Sequence, residues 1–185
     1  MAQLVMRAKI KADNVVQLPE GYTFEIFKRS EKDIADWKKI IMTSPAPFDG
    51  ADSCYHNMIE LCHDIDMDKD IHFVVDAHGE RVATITLITQ SDGMGYVHMV
   101  KAMDSERGKG LGHAMANFAI AVFRERGLED AILTTDDWRL SAIKTYLDAG
   151  FLPVIYETPE QDMEKRWNEV LQKLQYGPVT YIIEQ

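Results

Sequence analysis

The sequence has few cysteines and no long hydrophobic run. Its two cysteines, Cys54 and Cys62, cannot form a disulfide framework and favour a reducing compartment. No stretch approaches the roughly 20 apolar residues that a membrane-spanning helix needs. The apolar run within residues 1–14 is too short and too interrupted by charge for a secretory signal. These absences argue against a disulfide-rich secreted protein, and we expect a cytoplasmic protein without a membrane partner.

Basic residues are also scarce. Lysine and arginine number 20 against 30 aspartates and glutamates, which gives a formal net charge of −10 and a pI near 5.0. A general nucleic-acid binder needs a basic surface that displaces counterions from phosphates, so we expect no nucleic-acid partner. The acidic balance instead favours a cationic small molecule or a basic peptide as the binding partner.

The remaining composition is that of a globular chain, with 46% hydrophobic and 27% charged residues. A length of 185 residues suits a single domain, residues 1–185, with residues 1–20 as an N-terminal extension. Period-two and helical patterns alternate, which predicts an α/β fold with some α+β character. We expect a mixed, mostly antiparallel central sheet of six to seven strands flanked by helices. The predicted strands cover residues 22–28, 71–77, 81–89, 96–103, 131–136, 151–157 and 179–184.

Capping patterns and prolines mark the predicted helices. Ser30 and Asp33 resemble a capping box at the start of the first helix, which Pro45 and Pro47 would end. A capping pattern at residues 158–161, with proline at the first helical position, begins an inserted helix over residues 158–177, before the last strand. The other predicted helices begin near residue 52, at residue 111 and at residue 141.

The most informative segment is RGKGLG at residues 107–112, between a predicted strand and an amphipathic helix. Glycines let the backbone approach a ligand closely, and the first N–H groups of a helix have no intrahelical partner. Together with the helix dipole and the charges of Arg107 and Lys109, they form a pyrophosphate site. A dinucleotide fingerprint does not fit, since its third glycine position holds His113, and no Walker loop is present.

Residues 107–112 match the R/Q-x-x-G-x-G/A signature of the GNAT N-acetyltransferase superfamily. A second segment, AIKTY at residues 142–146 followed by GF at residues 150–151, resembles the A-x-x-x-Y…G-F segment of that family. Both motifs occur in the expected order, and the resemblance covers residues 71–157. We therefore expect a GNAT-like sheet and fold.

The resemblance implies an enzyme that transfers an acetyl group from acetyl-CoA directly to a primary amine of a small molecule or peptide, in a ternary complex and without a metal. It implies that the fourth predicted strand pairs with the pantetheine amides and that one of its N–H groups serves as oxyanion donor. The family often has proline and asparagine where this sequence has Asp104 and Arg139. The residues to which the resemblance assigns cofactor contact are Val100, Lys101, Ala102, Arg107, Gly108, Lys109, Gly110, Leu111, Gly112, His113 and Tyr146.

Tyr146 matches the family tyrosine that protonates the departing CoA thiolate. A phenol with a pKa of about 10 can supply a proton to a thiolate whose thiol has a pKa near 8.5. A small residue one turn earlier, Ala142, leaves room for the cofactor. The alternative for Tyr146 is a core tyrosine on an amphipathic helix.

His98 is the leading candidate for the general base, because an imidazole titrates near pH 6.5. The alternation of the fourth predicted strand places His98 on the same face as Val100 and Ala102. The alternative is a packed or exposed histidine without a catalytic role. Glu25 and Asp136 are weaker candidates for the base, and the sequence leaves the choice open.

Two further groups of polar residues suggest a metal at first sight. The spacing of the first group matches no zinc pattern and favours buried thiols on a helix. Its members are Cys54, His56, Cys62 and His63. The second group lacks the glycine and terminal glutamate of a calcium loop and forms either a solvated loop or a surface that attracts a cationic substrate. Its members are Glu60, Asp64, Asp66, Asp68 and Asp70.

Other functions stay open at this stage. Binding needs only the glycine loop, so the main alternative is a non-catalytic acyl-CoA-binding sensor or regulatory module. An unrelated nucleotide-phosphate binder is the weaker alternative. The helix over residues 158–177 would flank the acceptor cleft or a dimer contact, so the expected partners include a second copy of the chain. The sequence does not identify the acceptor amine.

Overall fold

The computed structural model describes residues 2–10, 15–43, 50–157 and 162–184. These residues form one eight-stranded sheet of order β2-β3-β4-β5-β6-β1-β7-β8. The β5–β6 and β7–β8 pairs are parallel and the other pairs are antiparallel, which confirms the mixed, mostly antiparallel sheet but with eight strands. The strands are β1 Leu4–Lys9, β2 Thr23–Ile26, β3 Ile71–Val75, β4 Arg81–Thr89, β5 Gly95–Ala102, β6 Asp130–Thr135, β7 Leu152–Tyr156 and β8 Ile182–Glu184.

Strand β1 was not predicted, because residues 1–20 were interpreted as an extension. It lies inside the sheet between β6 and β7 and pairs with both. Its polar positions bind partners that are distant in sequence: the Arg7 guanidinium lies 3.1 Å from the Glu184 carboxylate, and the Lys9 ammonium lies 2.8 Å from Asp130. The buried alternate residues are Leu4, Met6 and Ala8. The charge of this strand is therefore compatible with a central position.

Five α-helices accompany the sheet, and none of those in the described ranges is long and apolar enough to cross a membrane. Helix α2 continues into a π-helical turn, His56–Glu60, and a 3₁₀ turn, Asp104–Glu106, precedes α3. The α-helices are α1 Glu31–Ile41, α2 Ala51–Tyr55, α3 Leu111–Glu125, α4 Leu140–Asp148 and α5 Met163–Leu174.

The predicted cap of α1 is confirmed. The Ser30 hydroxyl accepts a hydrogen bond from the Asp33 N–H at 3.1 Å, and the Asp33 carboxylate accepts one from the Lys28 N–H. The prolines predicted to end α1, and the capping pattern at residues 158–161, lie outside the described residues. Helix α5 begins after Asp162, whose carboxylate accepts a hydrogen bond from the N–H of Lys165 at 2.9 Å.

The sheet separates two hydrophobic clusters. Phe73 and Val75 of β3 pack in the cluster that contains Trp37 of α1. Val74, between them, packs in the other cluster, which contains Phe123 of α3. Because successive strand residues face opposite sides of a sheet, α1 and α2 lie against one face, and α3, α4 and α5 lie against the other.

Candidate active site

A cavity opens where β5 and β6 separate. The two parallel strands pair only over residues 95–97 and 131–133, although β5 continues to Ala102 and β6 to Thr135. The cavity has a volume of about 480 Å³. Its walls come from β5, the end of β6, the start of α4 and, on the opposite side, α1 and the π-helical turn. Backbone groups of β5 beyond residue 97 therefore border the cavity instead of pairing with β6.

A β-bulge shapes this part of β5. Met99 has a φ of 48°, and the pairing with β4 shifts at this point. His98 lies opposite Thr86, whereas Lys101 lies opposite Thr84. Since Thr84 and Thr86 share a face, the extra residue puts His98 and Lys101 on one face of the sheet.

This bulge corrects the predicted alternation. Ala102 lies opposite Ala83 of β4 and thus on the opposite face from His98. The predicted shared face of His98 with Val100 and Ala102 is wrong, because a bulge adds a residue and reverses the alternation after it. Val100 and Ala102 both pack against the cluster that contains Phe123. Val100 and Lys101 line the cavity, together with His98.

The glycine loop leads directly into α3. Gly108 and Gly110 have φ values of 78° and 83°, a left-handed conformation that residues with a Cβ rarely adopt. Gly110 is the N-cap of α3 and provides no side-chain hydrogen bond, so helix geometry leaves the N–H groups of Leu111, Gly112 and His113 without intrahelical partners. An open set of N–H groups at the positive end of a 15-residue helix fits a diphosphate.

The two cations of this loop are compensated by carboxylates. The Arg107 guanidinium lies 2.6 Å from the Asp104 carboxylate, and the Lys109 ammonium lies 3.1 Å from that of Glu106. Glu106 is buried and also accepts a hydrogen bond from the Tyr22 hydroxyl at 2.6 Å. Burial alone would raise the pKa of Glu106, but the hydrogen bonds from Tyr22 and Lys109 hold it below its usual value. Local sequence patterns do not predict this link, because Tyr22 and Glu106 meet only through the tertiary fold.

Tyr146 lies on α4 and lines the cavity. Its ring packs edge-on against Phe151, with 5.9 Å between the ring centroids, and Ala142, one turn earlier, lines the same cavity. Burial raises the pKa of Tyr146 to about 12, although the nearby Arg139 guanidinium acts to lower it. The phenol is therefore protonated at neutral pH and available as a proton donor.

His98 lines the same cavity as Tyr146. The imidazole forms a hydrogen bond with the backbone of Met58 in the π-helical turn, while its Nε2 atom is buried and has no partner in the described ranges. Burial lowers the pKa of His98 below the ordinary value of a histidine. The side chain is thus neutral at pH 7 and has one ring nitrogen able to accept a proton.

The two weaker candidates for the base differ in position. Asp136 lines the cavity, but its carboxylate lies 3.0 Å from the Arg139 Nε and also accepts a hydrogen bond from Gln3. Glu25 lies on β2 and is bound to Arg81 at 2.9 Å. The structure therefore brings Asp136, and not Glu25, to the cavity.

An exposed aromatic side chain at the cavity was also missed by the sequence analysis. Trp138 is 60% exposed and lines the cavity, and the Arg139 guanidinium lies 4.5 Å from the centre of its ring. The only feature of the sequence that could have indicated it is the presence of a tryptophan in the turn before α4. Arg139, which stands where the family often has asparagine, thus contacts both Trp138 and Asp136.

The five acidic residues between positions 60 and 70, here called the acidic run, do not line the cavity, and four of them contact basic side chains. Asp66 lies 3.0 Å from Lys69, and the buried Asp70 lies 2.9 Å from Arg126. The Glu60 carboxylate lies 2.8 Å from the His56 imidazole. In the group of cysteines and histidines, burial raises the pKa of the Cys54 thiol. Within the described ranges, no group of three histidine, cysteine or acidic side chains could hold a metal ion.

Several solved structures share this fold. A GCN5-related N-acetyltransferase from Sphaerobacter thermophilus has a TM-score of 0.64 at 20% identity, covering 82% of this chain but only 48% of that protein. A GNAT-family acetyltransferase from Staphylococcus aureus has a TM-score of 0.57 at 18% identity, covering 69% and 82%. The ribosomal-protein-S18-alanine N-acetyltransferase from Escherichia coli has a TM-score of 0.56 at 15% identity, covering 70% and 76%. At these identities the likeness establishes the fold.

Sequence comparison adds the family. No curated protein matches the chain. The profile of the acetyltransferase (GNAT) family matches residues 33–151, more than half of the chain, and this range contains the glycine loop, His98 and Tyr146. The chain therefore belongs to the acetyltransferase (GNAT) family.

Proposed function

We propose that the protein transfers an acetyl group from acetyl-CoA directly to a primary amine of a small molecule or peptide, with both substrates bound at once. The observation that carries this proposal is one cavity lined by the open end of β5, by His98 and by Tyr146. A neutral imidazole and a protonated phenol in one cavity are the two proton-transfer groups that amide formation from a thioester requires.

Backbone groups of two segments would hold the co-substrate. The N–H groups at the start of α3 suit its diphosphate, and the unpaired part of β5, residues 100–102, suits its pantetheine amides. A β5 N–H group at the bulge would donate a hydrogen bond to the thioester carbonyl oxygen, an interaction that contributes on the order of 2.7–4 kcal/mol in other enzymes. Acetyl-CoA supplies the acetyl group as a thioester. The residues proposed to contact acetyl-CoA are Val100, Lys101, Ala102, Arg107, Gly108, Lys109, Gly110, Leu111, Gly112, His113 and Tyr146.

His98 accepts the proton of the acceptor amine in this proposal. An alkylammonium has a pKa near 10.4, and burial holds the pKa of His98 below 6.5, so the two differ by at least about 4 units, or roughly 5 kcal/mol. Burial of the ammonium lowers its pKa, and this reduces the difference. The Nε2 atom of His98, which has no partner in the described ranges, is the acceptor of this proton.

Tyr146 donates its proton to the sulfur that leaves. The same low-polarity surroundings that raise the pKa of Tyr146 also raise that of a thiol, so the departing thiolate is a stronger base there than in water. The balance is complete: His98 takes one proton from the ammonium and later releases it to solvent, the C–N bond forms and the C–S bond breaks. Tyr146 gives one proton to sulfur, and its phenolate takes up the second proton that nitrogen loses.

Calorimetry with acetyl-CoA and CoA, followed by an assay of CoA release with amines, tests this function. We expect micromolar binding of both nucleotides and CoA release that depends on the amine. Absence of micromolar binding would overturn the proposal. Tight binding without amine-dependent release would instead indicate a non-catalytic acyl-CoA module, and competition by ATP or NAD would indicate a general nucleotide-phosphate binder.

We also propose that residues 1–185 act as a single domain in the cytoplasm. Strands from both ends of the chain, β1 and β8, share one sheet, which supports a single domain. Two free cysteines, one of them buried, suit a reducing compartment. Light scattering of the purified chain tests the homodimer that the sequence analysis includes among the partners.

A further inference from the structure

The cavity wall on the α1 side is apolar. Ile41 comes from the end of α1, Met58 from the π-helical turn and Met99 from the β-bulge, and all three line the cavity. They also contact the hydrophobic cluster of α1 and β3, which fixes this wall from behind. Because the backbone of Met58 binds the His98 imidazole, the apolar wall adjoins the proposed proton acceptor.

The charged side chains of the cavity wall carry a positive excess. Within the described ranges they are Lys101, Asp136 and Arg139, two cations and one carboxylate. Asp136 already binds Arg139 and Gln3. Burial and then the positive charge of Arg139 lower the pKa of Lys101, whereas the Asp104 carboxylate acts to raise it. Among the described residues, the cavity lining therefore offers a second ammonium no carboxylate besides Asp136, which already has partners.

The net charge of the chain does not alter this local balance. The carboxylates of the acidic run bind Lys69, Arg126 and His56, and none of them lines the cavity. The expectation of a cationic partner rested on total charge. The cavity itself offers a bound amine an apolar wall and no carboxylate other than Asp136 within the described ranges.

We propose that the acceptor is a primary amine carried on an apolar alkyl or aryl group without a second positive charge, and that Met58 determines this specificity. The inference rests on the proposed acetyl transfer and names its substrate class. Burying an apolar chain against this wall is favourable, whereas an ammonium there would lose its hydration and meet no carboxylate from the described part of that wall.

Pentylamine and 1,4-diaminobutane provide a matched test, because they have the same chain length and differ in a terminal methyl against an ammonium. With the full chain and saturating acetyl-CoA, we expect kcat/KM for CoA release to be at least about tenfold higher with pentylamine. Tenfold is the lower end of the range by which a pocket distinguishes substrates that differ in one group. An equal or higher value for diaminobutane would overturn the inference while leaving acetyl transfer established.

A variant pair connects the preference to Met58. Met58→Glu places a carboxylate in the wall and should shift the ratio of the two amines about tenfold towards diaminobutane. Met67→Glu is the control, since Met67 contacts the same hydrophobic cluster but does not line the cavity. An unchanged ratio in Met58→Glu, or an equal shift in both variants, contradicts the assignment.

Binding provides a second measurement that does not depend on turnover. Calorimetry of each amine with the CoA-saturated protein should give at least about tenfold tighter binding of pentylamine. The opposite order overturns the inference even if neither amine is acetylated. If acetyl-CoA itself does not bind, the proposed function fails, and the inference fails with it.

Discussion

Replacement of Tyr146 by phenylalanine removes one oxygen from the cavity wall and leaves the ring in place. The ring contact with Phe151, 5.9 Å between centroids, does not involve the hydroxyl, so the free energy of unfolding should change by no more than about 1 kcal/mol. The proposed acid would be lost, because no phenylalanine can donate to the departing sulfur. General acid catalysis contributes about 10²–10⁴-fold, which is roughly 3–5 kcal/mol of activation free energy.

The assay separates turnover from binding. We expect kcat of Tyr146→Phe to fall by at least about 10²-fold, while calorimetric affinity for acetyl-CoA and the urea midpoint change little. Tyr181→Phe is the control, because its hydroxyl donates to Asn168 at 2.8 Å outside the cavity. Equal activity in Tyr146→Phe would remove Tyr146 from the acid role and leave it a packed tyrosine.

Three further predictions concern catalysis, acid stability and packing. In the pH profile of kcat/KM, the decrease at low pH should follow a pKa below 6.5, because burial lowers the pKa of His98. The variant His98→Gln should lack this decrease, and its kcat/KM should be lower by about 10²-fold or more. Burial lowers the pKa of His72 to about 4 in the folded protein. As pH falls, the His72 imidazole is therefore protonated in the unfolded chain before it is protonated in the folded one. The free energy of unfolding, measured by urea titration, should therefore decrease by roughly 3 kcal/mol between pH 6.5 and pH 4. The variant His72→Phe should show a smaller decrease over the same range. In Gly95→Ala, the new Cβ would lie 2.5 Å from Cγ of the buried Phe123, so unfolding should become easier by about 1–3 kcal/mol. Gly177→Ala, which meets nothing within 4 Å, should keep the urea midpoint of the native chain, and equal midpoints for both variants would contradict this packing argument.

Local rules predicted the parts of the site that depend on local structure. The conformation of residues 107–112 follows from glycine and from the start of a helix, and the Ser30 cap follows from a hydroxyl three residues before an N–H group. Both features require only neighbours along the chain. The sequence therefore predicted the glycine loop before α3 and the start of α1 correctly, and phosphate binding by this loop stays a prediction.

Long-range pairing decides the features that sequence analysis missed. Strand β1 looks too charged for a central strand until Arg7 meets Glu184 and Lys9 meets Asp130, more than 100 residues away. The bulge at Met99 depends on the register with β4, and period-two alternation cannot reveal one extra residue. The position of Lys101 relative to His98 was therefore beyond local patterns.

The net charge of the protein and the charges that line the cavity lead to different predictions about the substrate. The net charge of −10 indicates a cationic partner, yet the proposed co-substrate is an anion, and the described residues give the cavity wall two cations and one carboxylate. Both loop cations adjoin carboxylates of the preceding turn, so their side chains add little net charge where the diphosphate would bind. Backbone N–H groups at the start of α3 must then provide much of the attraction for phosphate. Because helix geometry fixes these N–H groups at the positive end of α3, they would attract an anion even though the net charge of the protein is −10.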